Sequence, residues 1–330
     1  MTMGNVRRWC PGASVRKNGP PSRPHTWKGQ ADAYGCCPHH EPQYDPAPLY
    51  RHRGYRHAVA WCRDKAAAEA AIKACLGEIS RLENEFSLYR AGSALNRLNA
   101  AGQLTAPSHG MRRLLQLCRQ YCDLSQGAFD PSIQPLWQLY AEHFVNHPDD
   151  LAGPSPDAIR AVQQHIDYRR IAIGAEAIHL EPGMALTLNG IAQGYITDRV
   201  ADLLRARGWS DVLLNLGEIR ALPGRPWSVA LPGRVATLDL TNAAVATSAG
   251  AGSPFAAGEG PHHLLHPVTG RSARHYAAVS VLARTAAAAD ALSTALYLSP
   301  PERAAELLRR GGGKQAWLRD TNGTGRHLVV

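Results

Sequence analysis

The stretch "DVLLNLGEIRALPGRPWSVALPGRVATLDLTNAAVATSA", Asp211–Ala249, decides the fold class. Its apolar runs "DVLLNLG", "WSVAL", "ATLDL" and "AVATSA" are parted only by Gly, Pro and Asn turns, as expected of strands that follow one another directly. Successive parallel strands need a crossover of a dozen or more residues. The run therefore favours α+β over a doubly wound parallel sheet.

Upstream, "GIAQGYITDRVADLLRARG" sets Ile191, Tyr195, Val200, Leu203 and Leu204 on one side, which predicts a helix ended at Gly208. Before it, "RIAIG", "AIHLE" and "ALTLN" read as strands. Further back, Ile72, Cys75, Leu76, Ile79, Leu82 and Phe86 mark one amphipathic helix. A second is capped by Ser108, carries Met111, Leu114, Leu115, Cys118, Tyr121 and Cys122, and stops at "SQGAFDPS". Downstream come a strand "AAVSVLA", a buried helix "ADALSTALYL" (Ala289–Leu298), and a last helix opened by "SPPERAAELLRR" and ended by Gly311–Gly313.

With 330 residues, 45% of them hydrophobic, the chain can bury one large core or two modest ones. The formal charge of +9 suits an acidic partner. The basic residues are scattered, without a dense stripe or interleaved aromatics, so nucleic acid is not an expected partner. Seven cysteines show no C-x-x-C pair, which leaves zinc and redox motifs unsupported. Residues 1–50 hold eight of the 23 prolines and no sustained hydrophobic period. They read as a disordered arm ahead of one domain over 51–330. Arg7 and Arg8 form a twin arginine, but no apolar run follows, so no export signal is readable. No uncharged apolar segment approaches the roughly 20 residues that span a bilayer.

Three stretches could carry chemistry. Asp290 and Thr294 stand i,i+4 on the buried helix, where both oxygens can meet one small cation. Equally, the threonine can bond its own i−4 carbonyl and the acid can answer the helix dipole. "LTLNGIAQG", Leu186–Gly194, reads as a strand turning into a helix, with N–H groups to offer an anion. No phosphate-loop pattern is present. In "HHLLHP", His263 and His266 point to opposite faces of an extended segment and cannot easily share an ion. One of these histidines as a general base is the better functional reading, beside an isolated surface histidine.

In this order the pieces resemble the FAD:protein FMN transferase family, ApbE, from about Tyr55 to the C-terminus. "FSLYRAGSALNRLNA" is similar to the family's F-S-x-Y-x-x-x-S block, and "GAFDPSIQPLWQLY" to its G-[AY]-[FY]-D-x-[TS] stretch. "LTLNGIAQGYITD" resembles L-D-L-[GS]-[AG]-I-A-K-G-[YF]-x-x-D, and "NLGEI" the N-x-G-G-[DN] strand after it. "AVATSAG", "HHLLHPVTGR" and "DALSTAL" resemble A-[TV]-S-[GT], S-H-I-[IV]-D-P-x-T-G and D-[AT]-x-[AS]-T-[AG].

The resemblance implies an ApbE-like, T-fold-related α+β fold with mixed or antiparallel sheets and packed helices. It implies Mg²⁺-dependent transfer of FMN from FAD to a threonine or serine of an acceptor flavoprotein, with AMP released. The metal ligands would be Asp290, Thr294 and the carbonyl of Gly190. Flavin contacts would fall on Tyr89, Ala128, Phe129, Asp130, Thr187, Gln193, Leu264 and Ser293. His263 would take the acceptor proton. A periplasmic or cell-envelope location is also implied. Alternatives are an FAD pyrophosphatase yielding FMN and AMP, and a noncatalytic flavin-binding maturation protein. Four departures stand out: Thr187 and His266 replace aspartates, Gln193 a lysine, and Glu218 the second glycine of N-x-G-G-D. "HAVAWC", with Trp61, replaces the first strand's M-G-T.

Overall fold

A computed structural model describes residues 47–52, 56–60, 65–255 and 260–330. The elements are β1 (Ala47–His52), β2 (Arg56–Ala60), α1 (Lys65–Phe86), α2 (Ala94–Ala101), β3 (Gln103–Thr105), α3 (His109–Ser125), α4 (Gln134–Asn146), α5 (Pro156–Gln163), β4 (Ala172–Ile173) and β5 (Ala177–His179). There follow α6 (Ala192–Ala206), β6 (Val212–Asn215), β7 (Ile219–Ala221), β8 (Trp227–Ala230), β9 (Thr237–Leu240), β10 (Ala244–Ala249), β11 (Tyr276–Ala283), α7 (Ala286–Leu298), α8 (Ala304–Arg310), β12 (Gly313–Asp320) and β13 (Gly325–Val329). β1 begins inside the expected arm, whose residues 1–46 lie outside the described residues, as does Trp61.

The main sheet has eight strands in the order β1-β2-β6-β7-β10-β11-β12-β13, and every pairing in it is antiparallel. The α+β expectation holds. β8 and β9 form a separate hairpin, and β3, β5 and β4 a small third sheet. The hairpin residues Trp227, Val229, Leu231 and Leu240 cluster with Leu213, Ala221 and Val245 of the main sheet. Ala246, Val279, Val281 and Ala316 join the larger core with α3, α6 and α7.

α7 is apolar on nearly every side because nearly every side is covered. Leu292 and Leu296 have no exposed surface, and burying each contributes about 2 kcal/mol. The helix packs against β10, β11 and α6. At its start the Thr285 hydroxyl accepts from Ala288 N–H at 3.3 Å, and Asp198 of α6 accepts from Ala286 and Ala287 N–H, each at 2.8 Å. α3 follows the expected pattern, with Ser108 accepting from Met111 N–H at 2.9 Å and a stripe that includes unpaired, buried Cys118 and Cys122. Gln126 and Gly127, at φ +55° and +82°, end it.

One sequence expectation needs correction. "ALTLN" is extended but pairs with no strand. Its Leu186 backbone is held on both sides by the Asn99 side-chain amide, at 2.8 and 2.9 Å, and Thr187 N–H donates to the Pro131 carbonyl at 2.8 Å. Alternation there reflects one buried face, with a side chain supplying the ladder bonds. The last helix, α8, ends at Gly311 as expected, and β12 and β13, which the sequence did not show, follow it and complete the sheet edge. Two further helices that the sequence did not show, α4 and α5, flank a Pro/Asp-rich loop of residues 147–155, and with Leu265 they bury Leu136, Tyr140, Phe144 and Ile159.

Candidate active site

Five segments meet around the first half of α7: the α3–α4 turn, the Leu186–Gly190 segment leading into α6, the β6–β7 turn, the end of β10, and α7 itself. α6 crosses α7 so closely that a Cβ on Gly194 would lie 2.3 Å from the Ala286 carbonyl oxygen. That approach lets Gly194 N–H donate to Asp290 Oδ2 at 2.9 Å. One N–H of the junction expected to face an anion is thus taken by the acid of the neighbouring helix.

Thr294 is one turn further on. Its hydroxyl does not fold back on its own helix; it meets Ser248 Oγ of β10 at 3.1 Å. The neighbouring Ser293 makes the in-helix bond, donating to the Asp290 carbonyl at 2.9 Å, and also meets Ser248 Oγ at 2.8 Å. Ser293 is fully enclosed and holds Ser248 in place. A Cβ on Gly190 would stand 3.4 Å from Thr294 Oγ1 and 3.1 Å from the Phe129 ring, so Gly190, Thr294 and Phe129 converge.

The α3–α4 turn is internally braced. Phe129 N–H donates to Ser125 Oγ at 3.0 Å, and its ring meets Tyr121 edge-on. Asp130 spends both carboxylate oxygens on the turn: Oδ1 accepts from Ser132 N–H at 2.8 Å and Ser132 Oγ at 2.6 Å, and Oδ2 from Tyr168 N–H at 3.1 Å. Ala128 is buried beside them. Tyr89 stands apart in the turn after α1, with its ring 74% exposed.

The histidines divide their work. His262 Nε2 meets the Ala273 carbonyl at 3.0 Å, its Nδ1 accepts from Leu264 N–H at 3.3 Å, and its ring packs edge-on against Tyr297 of α7. Both nitrogens are engaged, so His262 fastens the loop. His263 Nδ1 lies 3.1 Å from the Ser253 carbonyl oxygen, which can only accept; the ring proton therefore sits on Nδ1 and the Nε2 lone pair stays available. Burial first, then the neighbouring His262, lowers the His263 pKa to about 4, and the ring is neutral at pH 7. The missed helices brace this loop from behind: Tyr140 donates to the Gly270 carbonyl at 2.9 Å, and Gln163 to the Pro267 and Val268 carbonyls, each at 2.8 Å. Leu264 is buried between the two anchor points.

The departures have local explanations. His266 Nδ1 accepts from Val268 and Thr269 N–H at 3.2 and 3.4 Å, the turn bonds an aspartate carboxylate makes. Thr187 Oγ1 likewise accepts from Asn189 N–H at 3.3 Å. Gln193 lays its amide over Gly217, where a Cβ would stand 2.6 Å from Nε2; Gly217 has φ +114°. Glu218, the next residue, is buried, as is Asp290. Burial raises both carboxyls above the ordinary range, and the Asp290 charge raises Glu218 further.

Sequence reasoning missed Ser248, Glu218 as a site residue, and the Arg220–Asp198 pair behind α7, at 3.5 Å. Arg220 also donates to the Arg284 carbonyl just before α7. Among the described residues no three His, Cys, Asp or Glu side chains cluster to hold a metal. A cation here would take carboxylate, hydroxyl and carbonyl oxygens, completed by water and substrate oxygens. That donor set fits Mg²⁺, which binds one or two carboxylates and keeps part of its shell open.

Comparison with known proteins bears on the family and the fold. The sequence model of the ApbE family matches residues 54–318. FAD:protein FMN transferase of Treponema pallidum is 28% identical over 288 residues, covering 77% of this chain and 78% of that protein. FAD:protein FMN transferase of Escherichia coli K12 is 27% identical, covering 68% and 70%. Among solved structures, the apo form of Pseudomonas stutzeri flavinyl transferase ApbE superposes with a TM-score of 0.74 at 26% identity, over 88% of this chain and 97% of that one. The ApbE protein of Thermotoga maritima gives the same TM-score at 22% identity, over 87% and 97%, and speaks for the fold.

Proposed function

The chain belongs to the ApbE family, and from that premise we propose that it transfers FMN from FAD to the hydroxyl of a threonine, or a serine, in an acceptor flavoprotein, with Mg²⁺ as its cation and AMP as the second product. The observation that carries the reading is the convergence of Asp290, Thr294 and Gly190 where α6 crosses α7.

In this reading Asp290, Thr294 and the Gly190 carbonyl would hold the cation, which would supply positive charge to the FAD diphosphate. The acceptor hydroxyl oxygen attacks the phosphorus of the FMN half. A new P–O bond forms, the bond from that phosphorus to the bridging oxygen breaks, and AMP leaves with the oxygen. His263 Nε2 receives the hydroxyl proton, a role for which a neutral ring with its other nitrogen already bonded is suited. The exposed ring of Tyr89 and the edge of Phe129 offer the flavin apolar contact, with Leu264, Thr187 and the Ala128–Asp130 backbone around it. Gln193 donates hydrogen bonds to flavin or phosphate oxygens, without the charge a lysine carries. Ser293 acts by fixing Ser248. A periplasmic or cell-envelope site of action goes with the family and is tested by fractionation.

Incubation with FAD, Mg²⁺ and a threonine-bearing acceptor should leave flavin fluorescence on the acceptor band of a denaturing gel, and Asp290→Ala should abolish it. Free FMN and AMP alone would point to a pyrophosphatase. Tight FAD binding without turnover at any Mg²⁺ concentration would point to a noncatalytic binder.

A further inference from the structure

A threonine hydroxyl inside a helix ordinarily donates to the carbonyl four residues back. For Thr294 that carbonyl belongs to Asp290, and Ser293 has taken it: Ser293 Oγ stands 2.9 Å from the Asp290 carbonyl oxygen. Ser293 Oγ also lies 2.8 Å from Ser248 Oγ, and Ser248 Oγ lies 3.1 Å from Thr294 Oγ1. Three hydroxyls and one carbonyl thus form a chain that leads from the backbone of Asp290, through β10, to the side chain of Thr294. Ser293, within it, is only 1% exposed, so water does not compete for its bonds.

Counting protons fixes the direction of every bond in the chain. A hydroxyl has one proton to give and two lone pairs to receive, and a carbonyl oxygen has none to give. The Ser293 proton therefore lies on the Asp290 carbonyl. Ser248 must supply the proton it shares with Ser293, and its own is then spent. The last bond is made with the proton of Thr294. Thr294 is thus a donor toward β10, and the chain leaves both lone pairs of its Oγ1 uncommitted. Hard divalent cations take oxygen lone pairs, and a hydroxyl proton facing one would be repelled. Gly190 is close by, since a Cβ there would stand 3.4 Å from Thr294 Oγ1, while Asp290 Oδ2 is fixed separately by Gly194 N–H at 2.9 Å.

We propose that Ser248 and Ser293 are positioning residues that turn the Thr294 hydroxyl proton away from the cation, so that Thr294 presents lone pairs to it. Neither serine touches the ion. The inference rests on the transferase reading for the existence of the cation and gives Ser248 of β10 a part in binding it. The order of the chain matters. Without Ser293, the Ser248 proton is free to turn onto Thr294, which occupies a Thr294 lone pair and releases its proton toward the cation. Without Ser248, Ser293 has no path to Thr294 at all.

The test is a Mn²⁺ titration of the full-length protein, with and without FAD, followed by the electron paramagnetic resonance of free Mn²⁺. It compares the wild type with Ser248→Ala, Ser293→Ala, the double variant and Asp290→Asn, and circular dichroism of the metal-free proteins checks their folding. Each single serine variant should bind Mn²⁺ roughly threefold to tenfold more weakly, the worth of one neutral hydrogen bond. The double variant should be no weaker than Ser248→Ala alone, because the two serines act through one path. In the transfer assay the Ser248→Ala defect should appear in the apparent KM for Mg²⁺ rather than in kcat. Losses that multiply in the double variant would show two independent packing effects and overturn the proposal. Wild-type affinity in both single variants, with binding lost only in Asp290→Asn, also overturns it and leaves the transferase reading standing. No Mn²⁺ binding by the wild type, with or without FAD, overturns both.

Discussion

His263 presents one nitrogen to the Ser253 carbonyl and keeps the other open, and its pKa is lowered to about 4 from an ordinary 6.5 by burial and by His262. Transfer should therefore stay active well below neutrality and fall on the acid side with a midpoint near pH 4. A midpoint near 6.5 in the pH–rate profile contradicts the assignment. The unfolded chain takes up the His263 proton first, so this residue makes stability fall as pH drops from about 6.5 to about 4. His263→Gln should lose about 100-fold in transfer rate at pH 7 while FAD binding, followed by flavin fluorescence, is retained. At this scale the sequence was legible where the geometry is local. Asp290 and Thr294 share a helix face by their spacing alone. Ser248 was not legible, because its partners lie 45 and 46 residues away on another element. Nor was the division of labour among the histidines, which depends on the Ser253 and Ala273 carbonyls.

At the scale of elements, the site depends on how α6 fixes α7. Asp198 caps the α7 N-terminus with two backbone bonds and stands 3.5 Å from buried Arg220. Asp198→Ala should cost about 3 kcal/mol, because it frees two helix N–H groups and strands a buried guanidinium. Urea denaturation measures it, and a loss below about 0.5 kcal/mol contradicts the role given to the pair. Gly194→Ala should cost about 2 kcal/mol by driving the helices apart, and weaken cation binding with it. The helices with long apolar runs, α1, α3, α6 and α7, were legible, and of these α3 and α7 carry side-chain caps. α4 was not, since it opens on "PSIQP" with prolines where a helix signal is sought, although Leu136, Tyr140 and Phe144 stand i,i+4,i+8 on one face. "ALTLN" was misread for the opposite reason: its alternation is real, but Asn99 answers its backbone and no strand does.

Across the whole molecule, the antiparallel sheet was foreseeable from the short turns of Asp211–Ala249, which leave no room for crossovers. Its outer strands β12 and β13 were not, since only Ala316 and Leu318 of "QAWLRD" are buried and polar residues fill the remainder. Hydrogen exchange should be slowest in β10, β11 and α7, which share the main core, and faster in the β8–β9 hairpin and the β3-β5-β4 sheet, which hang on smaller contacts. Uniform protection would contradict that hierarchy. The central claim is that the groups gathered on α7 and its neighbours move FMN from FAD onto another protein. Intact mass spectrometry of a threonine-bearing acceptor, after incubation with this protein, FAD and Mg²⁺, tests it most directly. The account predicts that the acceptor gains the mass of FMN less one water, matched by an equal amount of AMP and absent with Asp290→Ala. An acceptor of unchanged mass, alongside accumulating free FMN and AMP, would contradict it.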